Sequence, residues 1–216
     1  MNLELRNQWL KQQNELFGNS VYIEQLNDEI NQPLNLDGFY QQINNCQNCS
    51  LGSTRTNFVF GIGNPDADLV FVGEAPGKDE DLKGEPFVGR AGQLLDKILN
   101  AIDLDRTKVY ILNILKCRPP QNRNPEPIEV EQCEPYLKTQ LNLIKPKLIV
   151  ALGKIAAQTL LKINLPLNKM REQIFLYEEI DVMVTYHPAA LLRNPDLKRP
   201  TWEDFKKIKA NYLTEN

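Results

Sequence analysis

The stretch Asp68-Leu-Val-Phe-Val-Gly73, running on into Glu74-Ala75-Pro76-Gly77, decides how this chain folds. Its four consecutive apolar residues are too few for a helix and show no polar alternation. They read as a strand buried on both faces, as in a parallel sheet. The signature recurs in Lys108-Val-Tyr-Ile-Leu-Asn113, Lys147-Leu-Ile-Val-Ala-Leu152 and Asp181-Val-Met-Val-Thr185. Helical patterns lie between these runs. Residues 92–102 place Leu94, Leu95, Ile98, Leu99 and Ile102 on one side, and residues 154–161 form a shorter helix. Residues 127–144 read as a helix with Pro127 tolerated in the first turn and Pro135 kinking or splitting it. A last helix is predicted over 200–213, reached through a loop. The alternation predicts an α/β fold: a three-layer sandwich with a central four-stranded parallel sheet and helices on both faces. Ligands bind such sheets beyond the carboxyl ends of the strands. Residues 73–77, Asn113, Gly153 and Tyr186-His187-Pro188 occupy those ends.

Upstream the pattern differs. Leu3, Leu5, Trp9, Leu10, Leu16 and Phe17 follow helical spacing before a stop at Gly18-Asn19, and a short helix is expected over 36–45. The 216 residues suit one domain with an appendage. We therefore divide the chain into a helical amino-terminal extension, 1–45, and a domain, 46–216; no internal repeat or low-complexity linker interrupts it. The polar, amphipathic start does not read as a signal peptide. No apolar run approaches the roughly 18 residues of a membrane span, so a cytoplasmic monomer without membrane contact is expected. The net charge of −3 hides an asymmetry, because residues 1–45 hold six acids and two bases. Beyond them, Lys116, Arg118 and Arg123 fall within eight residues that contain no acid, and Arg193, Lys198 and Arg199 outweigh Asp196. Local patches of this kind can contact phosphates. Charge permits a nucleic-acid partner without requiring one.

Four cysteines accompany a single histidine, His187. That count excludes a zinc hydrolase built on two histidines. In a reducing compartment, four cysteines read as metal ligands rather than disulfides. Cys46-Gln-Asn-Cys49 lets two thiolates reach one centre from a tight turn, while Cys117 follows the second strand and Cys133 lies on the next helix. Spacing alone does not choose between zinc and an iron–sulfur cluster, since both accept four thiolates.

Several blocks follow in order: Cys46-Gln-Asn-Cys49-Ser-Leu51 with Thr54-Arg55-Thr56 and Val59-Phe60-Gly61; Gly73-Glu74-Ala75-Pro76-Gly77; Gly84-Glu85-Pro86-Phe87-Val88-Gly89; Asn113-Ile-Leu-Lys-Cys117-Arg118-Pro119-Pro120 with Asn122-Arg123; and His187-Pro188-Ala189-Ala190-Leu191-Leu192-Arg193. Together they resemble the family 4 uracil-DNA glycosylases, the iron–sulfur branch of that superfamily, over about residues 46–209. Residues 1–45 take no part in the resemblance.

The resemblance implies a monofunctional enzyme that hydrolyses the N-glycosidic bond of deoxyuridine in single- and double-stranded DNA, the first step of base excision repair. It implies a 4Fe–4S cluster on Cys46, Cys49, Cys117 and Cys133. A base inside a duplex must be flipped into a pocket before chemistry. By the family pattern Asn113 reads the uracil edge, Phe87 stacks on the ring, and His187 donates to O2 as negative charge develops there. The loop 188–194 is expected in the minor groove, with Leu191 or Leu192 as an apolar wedge. Lys116, Arg118, Arg123 and Arg193 are then phosphate contacts. Related families place a water-orienting aspartate where this chain has Ala75, so Glu74 and Asn122 are the substitutes here. Residues 77–81 are expected to form a solvated turn. No histidine falls in 119–127, which argues against the covalent trapping of a sister branch. Gly61-Ile-Gly63 and residues 73–77 match no phosphate-binding fingerprint. The alternative is a non-catalytic DNA-binding protein with a purely structural metal site.

Overall fold

All four predicted parallel strands form, and each is apolar on both faces because each is covered on both. The computed structural model describes residues 35–213; the expected helix over 1–17 lies outside them. Strands β1 (Ile62–Gly63), β2 (Leu69–Gly73), β3 (Tyr110–Asn113), β4 (Leu148–Leu152), β5 (Phe175–Tyr177) and β6 (Ile180–Thr185) make one sheet in the order β1-β3-β2-β4-β6-β5. The four-stranded parallel sheet read from the sequence is thus the centre of a six-stranded mixed one. Both additions are antiparallel edges, β1 on β3 and β5 on β6. Neither carries a long apolar run: β1 has two residues and β5 three.

Register sets the faces. Phe71 lies beside Ile111 and Val150, and Val72 beside Leu112 and Ala151. The crossover from β2 to β3 runs one way across the sheet, and that from β3 to β4 runs back over β2. Right-handed crossovers then place their helices on opposite faces. Helix Arg90–Asn100 covers the Phe71 face, whereas helices Pro127–Ile144 and Lys154–Leu161 cover the other. Helix Lys198–Tyr212 returns to the first face, and its Phe205 stacks on Phe71 with ring centroids 6.0 Å apart. Leu69, Phe71, Leu95, Leu99, Ile111, Val150 and Phe205 form the heart of this core. Each such side chain contributes about 1.5–3 kcal/mol when fully buried.

Pro135 does not split its helix, which runs through as Pro127–Ile144. Pro135 and Glu131, whose carbonyl loses its partner, are both exposed positions, so water can replace the lost bond. The chain divides between Phe39 and Tyr40 into two units, and of the first only residues 35–39 are described. There the Asn35 side chain accepts the Gly38 N–H at 2.8 Å. Among the described residues no helix is long and apolar enough to cross a membrane.

Candidate active site

The strand order reverses between β2 and β4, the place where α/β sheets bind ligands. A cavity of about 470 Å³ opens there, lined by Glu74, Ala75, Phe87, Asn113, Asn122 and His187. These six are the pocket residues singled out in the sequence, and distant parts of the chain bring them together. Arg193 and the exposed Lys154, which the sequence had not marked, stand at the same cavity.

Its floor depends on one missing side chain. Gly73 pairs with Asn113 in register, so both side-chain positions face the same way. A Cβ on Gly73 would meet Asn113 Oδ1 at 2.3 Å and Phe87 Cζ at 2.7 Å. The amide and the ring therefore converge on the space that Gly73 leaves open. Phe87 adopts a left-handed backbone, φ 54°, which is uncommon for a bulky residue and clusters at functional sites. Its carbonyl packs so closely on the next helix that a Cβ on Gly92 would lie 1.6 Å from it. Across the cavity the Phe87 and His187 rings stand 5.5 Å apart, tilted 30°.

His187 follows β6 and caps helix Pro188–Arg193: its Nδ1 accepts the Ala189 N–H at 3.1 Å. That bond places the imidazole proton on Nε2. Burial, reinforced by the positive charge of Arg193, holds the ring's pKa down at about 4, with Glu80 acting the other way. At neutral pH the site thus presents a neutral imidazole with one N–H donor. Glu74 is half-buried, and desolvation raises its carboxyl above the ordinary 4.5. Asn122 has φ 55°, next to Gln121 at 56°. Its Oδ1 accepts from Arg118 Nε at 2.8 Å, which fixes the turn of the amide.

Residues 77–81 are not a solvated turn. They open helix Lys78–Lys83, and two of their carboxylates are structural. Glu80 accepts the N–H groups of Gly77, Val88 and Gly89 at 3.1, 3.0 and 3.0 Å, tying the loop after β2 to the Phe87 loop. Asp81, 4% exposed, accepts from Thr56 N at 2.8 Å and from Asn57 N at 3.4 Å. Their positions in the fold, not their type, gave them partners.

Two assignments to the DNA surface change, those of Lys116 and Leu191, while Arg123, which lines the cavity, gains a structural partner. Lys116 is fully buried and donates to the Asn113 carbonyl at 2.7 Å, so it cannot meet a phosphate. Arg123 is held by buried Glu129 through bonds of 2.9 and 2.6 Å, bracing the start of helix Pro127–Ile144. Leu191 is 2% exposed and belongs to the interior, whereas Leu192 is 47% exposed. Of the two leucines, only Leu192 is available as a wedge.

Cys117 and Cys133 are buried, and Cys46 and Cys49 are half-buried. Burial pushes the Cys117 thiol up and that of Cys133 to about 11, and each feels Cys49 nearby. Burial also pulls Lys116 down to about 7, opposed by Cys133 and Cys117. Donors point at the sulfurs: Tyr136 Oη reaches Cys46 Sγ at 3.2 Å, Asn48 N reaches it at 3.4 Å, and Arg55 Nη1 reaches Cys117 Sγ at 3.4 Å. Arg55 also binds the Cys46 and Asn44 carbonyls at 2.6 and 2.9 Å, joining the two cysteine segments. Among the described residues no three His, Cys, Asp or Glu side chains are grouped to hold a single ion.

Comparison with known proteins agrees with this geometry. The family described as "Uracil DNA glycosylase superfamily" matches residues 60–206. A type-4 uracil-DNA glycosylase of Archaeoglobus fulgidus is 48% identical over 181 residues, covering 80% of this chain and 91% of that protein. Its namesake in Sulfurisphaera tokodaii is 42% identical over 188 residues, 83% of this chain and 86% of that one. Another from Thermotoga maritima is 42% identical over 174 residues, 79% and 91% of the two chains. From the β2 loop to the helix after His187, the matched region contains the whole cavity, and the chain belongs to the uracil-DNA glycosylase superfamily.

Proposed function

We infer that this enzyme excises uracil from DNA by hydrolysing the N-glycosidic bond, leaving an abasic site for base excision repair. The observation that carries the reading is the convergence of the Asn113 amide and the Phe87 ring over Gly73, beside the His187 ring. A flipped uracil stacks on Phe87, and Asn113 donates to its O4 while accepting from N3–H. Cytosine presents the opposite pattern at that edge and is refused. His187 Nε2–H donates to O2, and because it is already neutral and fixed it needs no reorganisation as charge grows there. Glu74 and Asn122 orient the attacking water, and an ionised Glu74 also stabilises the positive charge that develops on the sugar. Leu192 enters the minor groove, while Arg118 and Arg193 contact phosphates of single- or double-stranded substrate. The protein acts as a cytoplasmic monomer. Incubation with a uracil-containing oligonucleotide followed by alkali should cut the strand at uracil; an intact strand would refute the activity.

The same reading gives Cys46, Cys49, Cys117 and Cys133 a 4Fe–4S cluster. The all-sulfur donor set and the three donors aimed at Cys46 and Cys117 support thiolate ligation there. When bound, the cluster supplies structural cross-linking of these loops rather than chemistry at the base. Protein purified without oxygen should be brown with broad visible absorbance, and Cys133→Ser should lose iron. A colourless protein with stoichiometric zinc would overturn the assignment.

Protonation supplies a further test. His187 is neutral above about pH 4, so the acidic limb of single-turnover excision belongs to Glu74. Its pKa is raised, so activity should climb with pH through a midpoint above 4.5, and Glu74→Gln should be slower and lack that limb. A limb unchanged in the variant would remove Glu74 from the water-orienting role.

A further inference from the structure

The sequence offers no role for Arg106, and none of the steps of uracil excision uses it. Its guanidinium nonetheless makes four hydrogen bonds beside the pocket. Nη1 donates to the Pro86 carbonyl at 3.1 Å, and Nη2 donates to the Phe87 carbonyl. Nε pairs with Asp96 of helix Arg90–Asn100 at 2.7 Å, and Nη2 reaches the same carboxylate at 3.5 Å. One rigid fork therefore grips two consecutive carbonyls of the loop that carries the stacking ring, with the carboxylate setting its orientation. This is the loop where Phe87 holds a left-handed backbone, φ 54°. Such a conformation persists only when its surroundings over-determine it. Two other contacts act on the same loop without touching those carbonyls, Glu80 accepting the Val88 and Gly89 N–H groups, whereas Gly92 packs against the Phe87 carbonyl without bonding to it.

We propose that Arg106, oriented by Asp96, is a positioning residue for the reaction: it holds the Phe87 backbone in its left-handed turn and so fixes the face on which uracil stacks. The proposal rests on Phe87 being the stacking residue. Displacing that ring by a fraction of its thickness should cost orientation at the glycosidic bond rather than grip on the DNA backbone, because no atom of Arg106 lines the cavity.

The test uses the holoenzyme. Arg106→Met should slow single-turnover excision by roughly tenfold to a hundredfold. Free uracil should bind correspondingly more weakly by calorimetry, while affinity for uracil-free duplex stays within about twofold, inside the error of additive effects. Arg106→Lys should fall between the two, since one ammonium can replace part of the fork. The deciding measurement is a double-mutant cycle with Phe87→Ala. If Arg106 acts through the ring, its replacement adds about twofold or less in that background. A loss of full size in both backgrounds, or no loss in the wild-type background, overturns the proposal. Thermal midpoints are recorded for every variant, and if Arg106→Met does not fold, Arg106→Lys and Asp96→Asn carry the same cycle. A wild-type enzyme that leaves uracil in DNA refutes the activity instead, and free-uracil binding still reports on Arg106.

Discussion

Replacing His187 with alanine is expected to slow uracil excision by about 10²- to 10³-fold, the usual cost of losing one preorganised donor to a developing anion. Single-turnover rates on a uracil oligonucleotide measure it directly. The effect should be large because the donor is prepared before substrate arrives: Nδ1 is engaged by the Ala189 N–H, and burial with Arg193 keeps the ring neutral. DNA affinity should change little. A stability signature accompanies the loss. The native ring resists protonation down to about pH 4, whereas an unfolded histidine takes a proton near 6.5. The unfolded state therefore binds more protons in that window, and wild-type stability falls as pH drops from 6.5 toward 4. The alanine variant should lack that part of the acid destabilisation. Full activity in His187→Ala would show that another group stabilises the departing base.

Gly73→Ala should be nearly as damaging although it removes nothing. The new methyl would sit 2.3 Å from Asn113 Oδ1 and 2.7 Å from Phe87 Cζ, closer than real Cβ contacts. The base-reading amide, the stacking ring or both must move. Misplacement of this order costs about 10²-fold in rate, and overpacking of a filled site costs about 1–3 kcal/mol in stability. Single-turnover excision and thermal unfolding read the two separately. Asn113→Ala in the same chain should relieve part of the stability cost while leaving excision poor. A Gly73→Ala enzyme with wild-type rate would mean that the amide and ring are not the uracil platform.

Much of the site is legible in the linear order of residues. The apolar runs at 69–73, 110–113, 148–152 and 180–185 announce buried strands, and strand ends are where α/β sheets keep their ligands. The features that escape detection show where local reading stops. The β5–β6 hairpin turns through Glu178 and Glu179 at φ 48° and 66°. Such turns are normally signalled by Asn-Gly or Asp-Gly, so two glutamates give no sign of it. Helix Pro127–Ile144 survives Pro135 because that position faces water, a property of the packing rather than of proline.

Charged residues divide in the same way. Lys116, Arg118 and Arg123 look alike in sequence, three cations in one stretch. The fold buries the first against Asn113 and the cysteines, turns the second to Asn122 and pairs the third with Glu129. Local sequence determines strand, helix and the type of chemistry available, because propensity and periodicity act over a few neighbouring residues. It therefore determined the central sheet, the four-cysteine set and the polar groups at the strand ends. Which charges meet solvent, which leucine is free and which arginine braces Phe87 depend on partners distant in the chain. Arg106 meets Phe87 across 19 residues, and Arg55 meets Cys117 across 62. Only tertiary structure decides such pairings, since burial and hydrogen-bond geometry exist only once the chain has closed on itself.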